Sequence, residues 1–90
     1  MPVYKAPVRD IRFVIHEVLD SAQLYRTLPG FEEATEDLIN AIIDEGARCA
    51  EEVIAPTNRA GDEEGCQWSA EGVTTPPGYK EAYQQYVDNG

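Results

Sequence analysis

The feature that most limits what this chain can become is the segment that begins at Glu32 or Thr35 and runs to Ala55, whose apolar residues fall in two adjacent helical rows. Leu38, Ile42, Cys49 and Val53 form one row; Ile39, Ile43, Ala47, Ala50 and Ile54 lie beside it. Asn40, Asp44, Arg48, Glu51 and Glu52 occupy the rest of the circumference, which predicts an amphipathic helix with its acids in water. Thr35 is a fitting N-cap, Glu36 and Asp37 suit the positive end of the helix dipole, and Pro56 is expected to stop the helix. Gly46 costs up to about 1 kcal/mol relative to alanine inside a helix, which suggests that another helix approaches there.

Two shorter helices are expected around it. Asp10 is a credible N-cap, with Pro7 in the leader, and Ile11, Val14, Ile15, Val18, Leu19 and Ala22 recur at helical spacing. This helix should end between Asp20 and Tyr25, because Leu28-Pro29-Gly30 is a clear stop. Tyr79, Ala82, Tyr83, Tyr86 and Val87 give a third stripe, opened by Pro77-Gly78 and closed by Asn89-Gly90. Between them, residues 57–78 read as a long irregular connection containing Gly61, Gly65, Gly72 and Pro76-Pro77, with Trp68 as its anchor. The expected fold class is therefore all-α, with three main helices and an irregular crossing.

The middle helix offers an apolar face too wide for these neighbours. At roughly 25 cal/mol per Å² of apolar surface, leaving it wet forfeits several kcal/mol in a domain whose total stability is about 5 to 15 kcal/mol. A 90-residue chain has little to spare. A missing partner follows: a second copy, or further polypeptide.

Charge and composition exclude several functions. The formal net charge is −10, concentrated in residues 31–55, so no nucleic-acid partner is expected. The start is different: Lys5, Arg9, Arg12 and Arg26 nearly balance Asp10, Glu17 and Asp20. Lys5 and Arg9, the basic residues that flank Pro7, are expected to dock against the acidic middle helix or a neighbouring subunit, with charge reversal at Arg9 and Arg12 as the test. No apolar run approaches a membrane span, and Arg12, His16 and Glu17 interrupt any signal-peptide core, so a soluble, cytoplasmic protein is expected. Cys49 and Cys66 fit neither a disulfide framework nor a zinc site and read as reduced thiols.

The search for chemistry yields no catalytic, cofactor-binding or metal residue. His16 is the single histidine and lacks a nucleophile beside it, so it reads as a boundary residue. The pairs Glu32-Glu33, Asp44-Glu45 and Glu51-Glu52 lack the apolar setting that would raise a carboxyl pKa. "RAGDEEG" (59–65) lacks the ligand spacing of a calcium loop, and the nearby glycines do not form a phosphate-binding motif. An acyl carrier role for Ser21 is weighed on Asp20-Ser21-Ala22, which lacks the leucine of that family's motif and falls at the expected helix end. The tyrosines read as core or interface.

The segments "YKAPVRDIRFV" (4–14), "APTNRAGDEEG" (55–65) and "VTTPPGYKEAYQQYVDNG" (73–90) occur in an order and spacing that resemble the beginning of a bacterial acyl-CoA dehydrogenase, of the longer branch with an extra amino-terminal segment. The resemblance spans essentially the whole chain. It implies residues 1–31 as that extension with its first helix, and residues 32–90 as the start of an incomplete amino-terminal helical domain. It further implies FAD in the parent enzyme, acyl-CoA as substrate, an electron-transfer flavoprotein as electron acceptor, and a homo-oligomer. No residue matches the family's flavin-contacting motifs or catalytic base. The expectation is an FAD-dependent dehydrogenase fragment that binds no cofactor and is inactive alone; the alternative is a free-standing helical dimerisation module.

Overall fold

A computed structural model describes residues 3–90. The first helix, α1, spans Val8–Arg12 and continues as a π-helical turn over Phe13–Val18. It begins before Asp10: Pro7 stands at the cap and no side chain caps the helix, so Asp10 lies in the first turn instead of at the N-cap. A proline that precedes the first turn already supplies a restricted φ and lacks an N–H to satisfy. The helix closes at Leu19, and Asp20 turns the chain through left-handed backbone (φ 47°, ψ 49°), which aspartate tolerates better than most residues. A further helix that the periodicity did not separate, α2, then covers Ser21–Arg26. It ends before Leu28-Pro29-Gly30, where Gly30 takes φ 88° and Phe31 folds back to stack on Tyr25 at 6.0 Å between ring centroids.

The middle helix, α3, spans Glu36–Cys49. Thr35 caps it: the Leu38 amide donates to Thr35 Oγ1 at 3.3 Å, and Ile39 N–H donates to the Thr35 carbonyl at 2.9 Å. Pro56 does not stop the helical path. The backbone widens to a π-helix over Ala50–Ile54, tightens to a 3₁₀ turn over Ala55–Thr57 with the proline at its start, and resumes as α4 over Asn58–Glu64. Changing the hydrogen-bond spacing just ahead of proline is how a chain absorbs both the missing N–H and the ring's clash with the preceding turn. Gly65 then ends α4 with φ 61°.

The connection expected to be irregular therefore contains a helix and a hairpin. Strands β1 (Gln67–Ser69) and β2 (Gly72–Thr74) pair antiparallel, with Trp68 opposite Val73. Trp68 anchors nothing here, being 80% exposed. Pro76 is buried, Gly78 supplies φ 86°, and α5 runs over Tyr79–Asp88, matching the expected third stripe and both of its ends. The all-α class holds, with the small hairpin as its one departure among the described residues.

The chain divides into two compact units. Lys5–Ala47 forms one; Arg48–Gly90, joined by Tyr4, forms the other. Among the described residues Cys49, Pro76 and Ala82 are the buried apolar side chains, whereas Ile42 of the wide row is 63% exposed. Gly46 meets no neighbour within 4 Å of where a Cβ would stand, so the close helix approach expected there is absent.

Candidate functional site

Among the described residues, two arrangements are candidates for a site, one in each unit. Within Lys5–Ala47, helix α1 with its π turn and α3 are bridged by polar groups. Arg12 Nη2 donates to Asp44 Oδ1 at 2.6 Å, and His16 Nε2 lies 2.7 Å from Asn40 Oδ1. Arg12 and His16 are one turn apart, as are Asn40 and Asp44, and the pairs run in opposite order, so the contacts describe an antiparallel helix pair. An amide oxygen accepts, so the geometry fits a histidine with its proton on Nε2. His16 Nδ1 and Arg12 Nε are buried without a hydrogen-bond partner among the described residues. The seam holds neither a nucleophile nor a second histidine, and its chemistry is that of helix pairing. Arg12 thus meets the acidic middle helix, while Arg9 of the proline's basic flank, exposed on α1, forms no ion pair among the described residues.

Within the other unit, a groove of about 690 Å³ lies between the helical path over residues 50–58 and α5. Ala50, Ile54 and Ala55 form one wall, Ala82 lies across from them, and Tyr4, Tyr79, Tyr83 and Tyr86 supply its aromatic surface. Thr57 and Asn58 are the polar members of the lining besides the phenol groups. Tyr79 reaches the groove because Gly61 has no side chain: a Cβ at Gly61 would collide with Tyr79 Oη and stand 2.7 Å from Cζ. The tyrosine stripe was visible in the sequence. Tyr4, Ile54 and Asn58 were not tied to it, because periodicity links residues within one helix and carries no information about which distant segments meet.

Other candidates lie apart. Ser21 opens α2, a helix start where the sequence suggested a helix end, but it is buried, which is no place to carry a prosthetic arm. Cys49 is buried, Cys66 exposed, and both are free thiols. Among the described residues no three His, Cys, Asp or Glu side chains gather as metal ligands would. No helix among them is long and apolar enough to cross a membrane.

Comparison with known proteins accounts for the helices better than either site does. The chain is 40% identical over 87 residues, 97% of its length, to 3-methylmercaptopropionyl-CoA dehydrogenase of Ruegeria pomeroyi. It is 28% identical, again across 97% of its length, to butyryl-CoA dehydrogenase of Syntrophomonas wolfei. The chain spans 15% of the length of each relative. No protein-family model matches it. The two relatives share one class, dehydrogenases named for CoA thioesters. By sequence the chain belongs to the acyl-CoA dehydrogenase family, as a segment of such a protein, and its mostly helical fold fits that family's amino-terminal helical domain.

That family implies FAD, and the groove does not suit it. A dinucleotide brings a diphosphate, for which proteins supply cationic side chains or clustered amides, and no Lys or Arg lines the groove among the described residues.

Proposed function

We propose that this chain is the amino-terminal portion of an FAD-dependent acyl-CoA dehydrogenase, which removes hydrogens from the α and β carbons of an acyl-CoA thioester. The observation that carries the proposal is the 40% identity across 97% of the chain to a relative of which it spans 15%. In this reading the flavin and the base that takes the α proton belong to polypeptide outside these residues. The chain supplies helices for that polypeptide to pack on, and alone it is inactive. Residues 1–31 form an amino-terminal extension and residues 32–90 the start of the helical domain. The complete enzyme passes its electrons to an electron-transfer flavoprotein, assembles as a homo-oligomer and works in the cytoplasm. FAD supplies the redox chemistry there, and no step is assigned to a residue of this chain.

Titrating the purified chain with FAD tests the assignment of chemistry. The expected result is no flavin retained after gel filtration and no acyl-CoA dehydrogenation. A preparation holding one FAD per chain would place a cofactor site within these residues and overturn the assignment.

A second reading, a free-standing dimerisation module, draws on Leu38 and Ile42, which stand 45% and 63% exposed on one row of α3. Ile42→Asp would then convert a dimer to a monomer in sedimentation. Two copies each carrying −10 repel one another, which ranks this reading second.

A further inference from the structure

We propose that the tyrosine-lined groove of the second unit is the docking surface for an amphipathic helix from acyl-CoA dehydrogenase polypeptide outside the matched segment. The proposal rests on the functional reading above. The groove runs between two helical segments, and such a groove receives the apolar ridge of a third helix. Its rim is costly to leave in water: Tyr83 is 67% exposed and Tyr86 60%, and aromatic side chains of this kind are the groups that carry most energy when covered.

Charge selects the occupant. In a chain of net charge −10, none of the groove's lining residues is an acid, a lysine or an arginine. The acids of α5, Glu81 and Asp88, are absent from the lining. A second copy would bring another −10 to a chain that already carries −10, whereas the uncharged apolar ridge of a helix from the remaining dehydrogenase polypeptide meets no charge in the groove. The relatives contain the polypeptide to provide it, since the matched stretch is 15% of their length. The phenol groups at the rim can donate to carbonyl or side-chain oxygens along its edges.

The test is co-expression of the chain with the Ruegeria relative from which the matched stretch has been deleted, followed by affinity purification on the chain. The wild-type chain should retain the deleted relative. The double variant Tyr83→Asp/Tyr86→Asp should lose roughly ten-fold or more of it, as expected for hot-spot aromatics, while Trp68→Asp, at an exposed apolar position on the hairpin, should not. Should the double variant lose its helical circular dichroism, Tyr83→Ser takes its place under the same criterion. Retention undiminished by a folded groove variant would overturn the groove proposal and leave the functional reading standing. If the wild-type chain retains nothing, the functional reading fails, and the proposal with it. If the chain alone is a dimer that the groove variants dissociate, the occupant is a second copy and the proposal is wrong.

Discussion

Gly61 shows how one residue can matter through what it lacks. Inside an exposed helix, glycine to alanine ordinarily stabilises by up to about 1 kcal/mol. Here the added methyl would collide with the Tyr79 hydroxyl and ring, and turning that 39% exposed ring aside offsets the gain, by at most the roughly 1 to 3 kcal/mol that overpacking costs in a well-packed core. Gly61→Ala is therefore expected to lower the melting temperature, and adding Tyr79→Ala should restore part of the loss. A G61A variant as stable as the parent would mean that Tyr79 is not held against α4. The sequence marked Gly61 only as part of an irregular connection. Its role depends on a tyrosine eighteen positions away, a pairing that no local rule encodes.

The two arginines of the first helix make a second contrast at this scale. Arg12 pairs with Asp44, with side chains 39% and 59% exposed, while Arg9 has no such partner among the described residues. Exposure limits the pair to about 1 kcal/mol or less, and salt should weaken it. Reversal at Arg12 should destabilise measurably at low ionic strength, with a double-mutant cycle against Asp44 giving a coupling of about 0.2 to 1 kcal/mol. Reversal at Arg9 should do little. Equal effects from both would contradict the assignment of the seam to Arg12.

At the scale of elements, the termini at Thr35, Gly78 and Asn89 were legible, and those expected at Asp10 and Pro56 were not. Thr35 caps α3 as its type and position foretold, and Thr35→Ala should cost about 1 kcal/mol in thermal or denaturant unfolding. No change would mean that Leu38 N–H finds an equal partner in water. Gly78 and Asn89 bound α5 where the dipeptides around them indicated. Pro56 misled because the rule that proline ends a helix assumes unbroken α spacing on its N-terminal side. The π-helix over Ala50–Ile54 removes that assumption, and the chain proceeds into α4. The hairpin escaped for a related reason: each strand is three residues long, too short for alternation to register. In the first unit, the apolar stripe located α1 but not its end, since the left-handed Asp20 splits what periodicity joins.

At the scale of the molecule, the sequence foresaw more apolar surface than the chain can cover, and the structure agrees. Phe13, Leu19, Ile42 and Tyr83 each stand more than half exposed. Phe, Leu and Ile side chains such as the first three are each worth about 1.5 to 3 kcal/mol when fully buried. The isolated chain should bind a hydrophobic dye such as ANS and unfold with a broad transition. A sharp, dye-free transition would show that these faces are already covered. On the function proposed above, the tyrosine groove and the exposed Leu38 and Ile42 of α3 are surfaces for the rest of a dehydrogenase to cover.

That claim is tested most directly by a chimera in which this chain replaces the matched stretch of the Ruegeria 3-methylmercaptopropionyl-CoA dehydrogenase, with FAD content and dehydrogenation of that relative's acyl-CoA both measured. The account predicts a flavin-loaded, active enzyme with the hydrophobic dye excluded. A soluble chimera that binds no FAD and turns over no substrate, beside an active parent, would contradict it.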